Sequence, residues 1–367
     1  MLCDCVKITG PVPIDPDFWT RRRVLLTGQT GFKGAWLALW LQALGADLVG
    51  LAPGVPTSPS LYRQAAVAAG MRELSIDVRD ARAVAAAVRD ARPEIVLHLA
   101  AQPMVRRSLA EPALTYEVNV LGTVNVLEAV RLVGAQVRAV VVVTSDKCYE
   151  NSAGATAAFV EGDPLGGADP YSSSKACAEL VAAAYRSSYF AGRDGPGLAT
   201  ARAGNVIGGG DWGEDRLVPD AVRAVEHRHE LLVRNPDAVR PWQHVLNPLA
   251  GYLLLAQRLC SASDVARAWN FGPPAGEELT VRALLGRLAA LWNGELRWRA
   301  DDAASPPEAG HLAVDSSAAR QLLGWQERID IDRALVDLVE WHRRQREGED
   351  MRRHSLAEIE RFMASEA

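Results

Sequence analysis

The stretch TGQTGFKG, Thr27–Gly34, stands between the apolar run Val24-Leu25-Leu26 and a helix-forming segment, AWLALWLQALGA. Its glycines recur at every third position: Gly28, Gly31 and Gly34. A strand that passes through such a loop into a helix gathers unpaired backbone N–H groups and the positive helix end, with no Cβ to block a close approach. A loop of this kind cradles the diphosphate of a dinucleotide. The alternative is a strand-to-helix turn that merely tolerates glycine, and the pattern around the loop has to decide between the two.

Outward from the loop, short apolar and β-branched runs recur: RVLLT from Arg23, DLVGL from Asp47, EIVLHLA from Glu94, RAVVVVTS from Arg138 and GLATARAG from Gly197. Continuous apolar strands separated by helical stretches describe a parallel sheet covered on both faces. The fold class is therefore α/β, a doubly wound Rossmann-type sheet, and the loop lies in its first βαβ unit, which favours the dinucleotide reading. After about Gly204 the pattern loosens into segments rich in glycine, proline and tryptophan, such as GNVIGGGDWGEDR, RNPDAVRPWQHV and NFGPPAGEE. The predicted organisation is an N-terminal extension over 1–20, a cofactor-binding domain over 21–204, and a smaller region over 205–367. That last part mainly binds substrate, with some segments returning to the sheet.

Composition narrows the partners. The 367 residues are 49% hydrophobic, enough for a sizeable core, and the formal charge of -5 comes without basic blocks, so neither nucleic acid nor an anionic membrane is an expected partner. Apolar runs such as Ala139–Val143 fall far short of the roughly 20 residues that span a bilayer. The first 17 residues also lack the basic-then-apolar order of a signal peptide, so the expected compartment is the cytosol. Cys3, Cys5, Cys148, Cys177 and Cys260 are an odd set at irregular spacing, which argues against a disulfide framework. Cys3 and Cys5 read as part of a frayed tail. His227 and His229, in EHRHE, read as a solvated helix end, and no metal is expected.

Tyr171 and Lys175, in DPYSSSKACAELV, are four apart at the start of a predicted helix and share a face. A tyrosine that takes a hydroxyl proton needs its phenol pKa, ordinarily about 10, drawn down. The neighbouring ammonium is expected to do that. In VVVTSDKCYEN an apolar strand runs into Thr144-Ser145-Asp146-Lys147, at the carboxyl end of a parallel strand where ligands bind. Ser145 is a donor for a substrate oxygen beside the tyrosine. Asp146 and Lys147 are either an acid and a base for further proton transfers or a solvated turn pair.

The G-x-x-G-x-x-G spacing, Tyr171-x-x-x-Lys175 and the strand-end hydroxyl are similar to those of the short-chain dehydrogenases/reductases. Over Phe18 to about His342 the chain resembles the nucleotide-sugar 4,6-dehydratases of the extended branch, and among them the group acting on CDP-glucose. The resemblance rests on TGQTGFKGAWLALWL, PEIVLHLAAQPMVRRS, NVLGTVNVLEAVR, TSDKCYEN, ARAGNVIGGGDW and RNPDAVRPWQHV. TSDK is the discriminating stretch, because the TDP-glucose enzymes are expected to have glutamate where Lys147 stands. Gln29 in place of the usual histidine is a departure, and residues 1–17 have no counterpart in the pattern.

The resemblance implies NAD as cofactor, held by Gly28, Thr30, Gly31, Phe32, Lys33, Gly34, Asp77, Val78, Ala100, Ala101, Gln102, Asn119, Thr144, Tyr171 and Lys175. Asp77 would meet the adenine. VGLAPGVPTSP carries no acid for the adenine ribose, and Arg63, a dozen residues on, reads as a helix-surface arginine and not as a 2′-phosphate ligand. The implied catalytic residues are Ser145, Asp146, Lys147, Tyr171 and Lys175, with Tyr171 taking the O4 proton as the C4 hydride passes to NAD, Lys147 working at C5 and Asp146 protonating the C6 hydroxyl. Whether Lys147 acts as the base or orients substrate stays open. Gln102, Arg202, Asn205, Arg234, Arg240 and Trp242 are expected to bind substrate, the arginines through its diphosphate. Trp242 and Trp212 are equally readable as core. A homodimer through helices near Tyr116–Leu132 and Ser174–Phe190 is also implied. An epimerase would need no Asp146-Lys147 pair, and a non-catalytic binding protein would need neither Tyr171 nor Lys175.

Overall fold

The computed structural model describes residues 8, 10–133, 136–151, 156–192, 195–262, 264–301 and 310–365. Seven strands form one sheet: β1 (Arg23–Thr27), β2 (Asp47–Ala52), β3 (Arg72–Ser75), β4 (Ile95–His98), β5 (Ala139–Val143), β6 (Gly197–Ala203) and β7 (Ala268–Phe271). Their order is β3-β2-β1-β4-β5-β6-β7, and every pairing is parallel. The five runs marked as strands in the sequence are all strands, and β7 comes from the later part of the chain. The order reverses between β1 and β4, which opens a crevice at the carboxyl ends of those strands.

Strand alternation sorts the core into two layers. Val24, Leu26, Ile95, Leu97 and Val141 face the layer that holds α1 (Phe32–Ala43) and, later in the chain, the helix Leu246–Leu259. Leu25, Val96, Val140 and Val142 face the opposite layer, with α2 (Ala81–Ala91) and α3 (Gly122–Val133). From Gly34 to Leu41 every side chain of α1 is buried, and burial all round is why this helix reads as uniformly apolar. Ahead of the sheet, Ile8 N and Val12 N donate to Gln321 O and Gly324 O, and Trp19 is fully buried. Cys3 and Cys5 lie outside the described residues.

The helix α4 (Pro170–Ser188) carries Glu179 into the sheet. This buried carboxylate accepts from Thr144 Oγ1 and from Thr200 Oγ1 (2.7 Å), and it pairs with Arg202 Nη2 at 2.8 Å. Arg202 also donates to Tyr149 Oη and Glu161 O, and its guanidinium lies 4.9 Å from the Tyr149 ring centre. Its expected role as a diphosphate ligand is thereby overturned, because β6 aims the guanidinium at a buried carboxylate and both ends of the ion pair are sealed from water. Removing one partner of such a pair strands the other charge. Arg202→Ala is expected to lose about 3–5 kcal/mol of unfolding free energy in urea titrations.

Candidate active site

At the glycine loop two contacts are too close for a side chain. Gly28 has φ +80°, and a Cβ there would lie 2.8 Å from Ala100 N, while one on Gly34 would lie 2.0 Å from Gly28 O. Gly31 is different, since a Cβ on it would meet nothing nearer than Gly28 O at 3.5 Å. Packing inside the chain therefore explains Gly28 and Gly34, and leaves clear space above Gly31 at the N-terminus of α1. That cradle fits a diphosphate on backbone N–H groups. Thr30 Oγ1 donates to Gly54 O at 2.7 Å and ties the loop to the segment after β2, and Phe32 is half-buried beside it.

The other expected cofactor residues sit along the same crevice with different duties. Asp77 is salt-bridged to Arg79 at 2.7 Å, which holds its carboxyl below the usual range, and Val78 is buried against Gly122. Asn119 receives Gln102 N on its Oδ1 and donates to Gln102 O and Ser174 Oγ, so it fixes the segment that begins at Ala100 and Ala101. The Gln102 side chain is spent on Met104 and Thr115. As a side-chain ligand of substrate it is therefore corrected, because its amide is buried and braces its own loop. Arg63 is exposed on the short helix Leu61–Gln64.

The chemical groups converge from β5 and α4. Asp169 caps α4, accepting from Ser172 N at 2.9 Å, and Pro170 occupies the first helical turn where its missing N–H costs nothing. This start sets Tyr171 and Lys175 one turn apart, both buried. After β5, Ser145 caps a single 3₁₀ turn, Asp146–Cys148, by accepting from Lys147 N at 3.2 Å. Its hydroxyl donates to Asp146 Oδ1 at 3.0 Å and draws the Tyr171 phenol downward. Lys147 is half-buried.

Burial governs the protonation of this cluster. It pushes the Tyr171 phenol up to about 12, against the Ser145 hydrogen bond, so the expected downward shift is not present in the chain by itself. Lys175 cannot supply it, because its ammonium donates to Val143 O at 3.1 Å and is itself pushed down to about 8 by burial. Burial likewise raises the Asp146 carboxyl, against the pull of Lys147, Ser145, Lys33 and Arg240. Asp146 Oδ2 has no hydrogen-bond partner among the described residues. A carboxyl so placed is biased toward its protonated form.

Sequence reading treated Lys33 only as part of the cofactor loop and missed Tyr252 and Arg216. Lys33 reaches inward, 3.4 Å from Tyr252 Oη, where burial lowers it to about 8 and Asp146 opposes the shift. Arg216 bonds Asp211 at 3.2 Å and acts on both Tyr171 and Lys33. Nearby, Asp215 holds Arg106 at 3.2 Å and lies 4.0 Å from Arg234. Arg240 is buried with its charge felt at Asp146, and Asn205 is half-buried with its carbonyl accepting from Gln243 N. Trp242, expected as a substrate residue, is corrected to core: its indole donates to Leu279 O and only 5% is exposed. Trp212 is buried against His342. His227 and His229 are exposed beyond a helix end, and no metal-binding group occurs among the described residues.

Known proteins carry the same pattern. The family sequence model described as GDP-mannose 4,6 dehydratase matches residues 25–338. A CDP-glucose 4,6-dehydratase from Salmonella typhimurium is 45% identical over 96% of this chain and 99% of its own. A dTDP-glucose 4,6-dehydratase from Mycolicibacterium smegmatis is 27% identical over 88% of this chain and 93% of its own. Among solved structures, DesIV, a dTDP-glucose 4,6-dehydratase from Streptomyces venezuelae with NAD and TYD bound, superposes with a TM-score of 0.75 at 24% identity. It covers 90% of this chain and 99% of its own, a likeness that speaks for the fold. With the glycine cradle, the Tyr171-Lys175 pair and the Ser145-Asp146-Lys147 turn, these matches place the chain in the nucleotide-sugar 4,6-dehydratase family of the extended short-chain dehydrogenases/reductases.

Proposed function

We propose that the protein is an NAD-dependent hydro-lyase that converts CDP-D-glucose to CDP-4-dehydro-6-deoxy-D-glucose and water. The observation that carries this reading is the Ser145-Asp146-Lys147 turn beside Tyr171: a proton donor and an amine adjoin the hydroxyl pair that handles C4. The 45% identity to a CDP-glucose 4,6-dehydratase supports the choice of substrate. NAD, when bound, would supply the hydride chemistry that links C4 to C6 with no net consumption of cofactor. The N–H groups of Gly28–Gly34 hold its diphosphate, Asp77 its adenine and Lys175 its nicotinamide ribose.

The chain's own groups move the protons. Ser145 holds O4 and Tyr171 takes its proton; the charge needed to bring the phenol down from about 12 must come from the bound ligands. The resulting C4 ketone acidifies the proton on C5. Lys147 removes that proton, Asp146 delivers its own to the departing C6 hydroxyl, and Lys147 then returns the proton to C5. Arg216, Arg234, Arg240 and Asn205 line the approach for the substrate diphosphate. We take 21–204 as the cofactor part and 205–367 as mainly the substrate part, with β7 returning to the sheet.

A homodimer is the proposed assembly. Leu121 and Leu132 near α3, with Leu180 and Tyr189 near α4, are large apolar side chains about half exposed or more, a face that fits a second copy. We place the protein in the cytosol, where the thiols of Cys148, Cys177 and Cys260 persist unpaired. No helix among the described residues is long and apolar enough to cross a membrane.

Incubation with CDP-glucose, TDP-glucose, UDP-glucose and GDP-mannose in parallel, with catalytic NAD, is expected to give a 4-keto-6-deoxy product mainly from CDP-glucose and no net NADH. Stoichiometric NADH, or epimerised sugar without water loss, would replace this reading. Lys147→Ala is expected to lower kcat by about 10²–10⁴-fold and to abolish solvent deuterium incorporation at C5. Undiminished incorporation would remove Lys147 from the role of base. Leu180→Glu is expected to shift the protein from dimer to monomer in sedimentation equilibrium, and a monomeric parent would refute the interface.

A further inference from the structure

Behind Asp146 the chain places a glycine whose backbone does not call for one. Gly204, the first residue after β6, has a negative φ, so left-handed freedom is not the reason for glycine here. The reason is space. A Cβ on Gly204 would lie 2.7 Å from Asp146 Oδ2 and 2.6 Å from Pro241 Cγ, far inside van der Waals contact. The missing side chain is the recess into which the Asp146 carboxyl fits. There Oδ2 is buried with no hydrogen-bond partner among the described residues, while Oδ1 accepts from Ser145 Oγ at 3.0 Å.

Of the groups that meet here, the carboxyl is the one free to give. Pro241 is held from both sides: Val239–Arg240 pairs antiparallel with Leu279–Thr280, and Gln243–His244 pairs parallel with Val206–Ile207. Gln243 N also donates to Asn205 O at 3.1 Å, which fastens that segment next to Gly204. The backbone leading to Asp146 is fixed to β6 by Thr144 N on Ala201 O at 2.9 Å, and the turn beyond it by Cys148 N on Ser145 O at 3.2 Å. Against these restraints the Asp146 carboxyl has the hydrogen bond from Ser145, and it turns about its own side-chain torsions.

We infer that Gly204 is a positioning residue for the elimination step: by lacking a Cβ it seats the Asp146 carboxyl against Pro241. This rests on the dehydratase reading above, in which Asp146 protonates the departing C6 hydroxyl. A side chain at 204 displaces that acid. The three atoms nearest such a Cβ belong to Pro241 and Asp146, and none to Tyr171 or Ser145, so the groups that handle O4 keep their places. The consequence is selective, because oxidation at C4 continues while loss of the C6 hydroxyl slows.

A crystal structure and single-turnover kinetics of NAD-loaded Gly204→Ala test the two halves of this assignment separately. In the crystal the Asp146 carboxyl is expected outside the recess, with its bond from Ser145 broken; an unmoved carboxyl, with Pro241 shifted instead, would overturn the seating. With CDP-glucose the variant is expected to oxidise C4, seen by absorbance as enzyme-bound NADH, and to release 4-keto-6-deoxy sugar about 10²-fold more slowly than the unmodified enzyme. Equal slowing of oxidation and elimination would refute the selective role. Gly204→Ala/Asp146→Asn should eliminate no more slowly than Asp146→Asn alone, whereas independent effects would multiply. Gly204→Ala/Pro241→Ala opens the opposite wall, so it stays testable even where Gly204→Ala fails to fold; it is expected to reseat the carboxyl and recover most of the lost rate, and no recovery would count against the recess. Absence of any 4-keto product from the unmodified enzyme would overturn the dehydratase reading instead, and the crystal structure would still decide where Asp146 is seated.

Discussion

One buried carboxylate, Glu179, sets the geometry on which the site depends. From the middle of α4 it draws in Thr144 at the end of β5, Thr200 and Arg202 on β6, and electrostatically Lys175 one turn back on its own helix. The strand that delivers Ser145, Asp146 and Lys147 is thereby locked to the helix that delivers Tyr171 and Lys175. A charge this deep is tolerable only because every approach to it is a donor. The same arrangement makes it intolerant of losing any one of them.

Around that frame the interior shifts proton affinities in opposite directions. Tyr171 rises to about 12 and Asp146 also rises, while Lys33 and Lys175 fall to about 8, and desolvation is the largest cause in each case. All four groups are pushed toward their neutral forms. The phenol still has to be brought down when it acts, and the chain by itself does not do this.

The cofactor cradle follows a separate constraint, the close approach of backbone to backbone. Gly28 and Gly34 are required because the loop crosses over Ala100 and over itself, whereas Gly31 is free of such contacts and leaves the space a diphosphate needs. Three glycines at one spacing thus serve two purposes, and only packing distinguishes them.

Much of this was legible from sequence, for a reason that is local. Strand and helix alternation, the glycine spacing, the four-residue Tyr171-Lys175 interval and the strand-end TSDK turn depend on neighbours within a few residues, so the α/β sheet and the polar residues at its strand ends could be read directly. What could not be read depends on partners far along the chain. Arg202 looked like a diphosphate ligand until β6 placed it opposite Glu179; Gln102 and Trp242 looked like ligands until their polar atoms were found engaged with Met104, Thr115 and Leu279. Lys33 looked like loop until it met Tyr252, 219 residues away. Sequence by itself determined which residue types stand at the ends of the strands. The tertiary structure alone decided which of them are buried, and with whom, because desolvation and pairing arise between segments that no local pattern brings together.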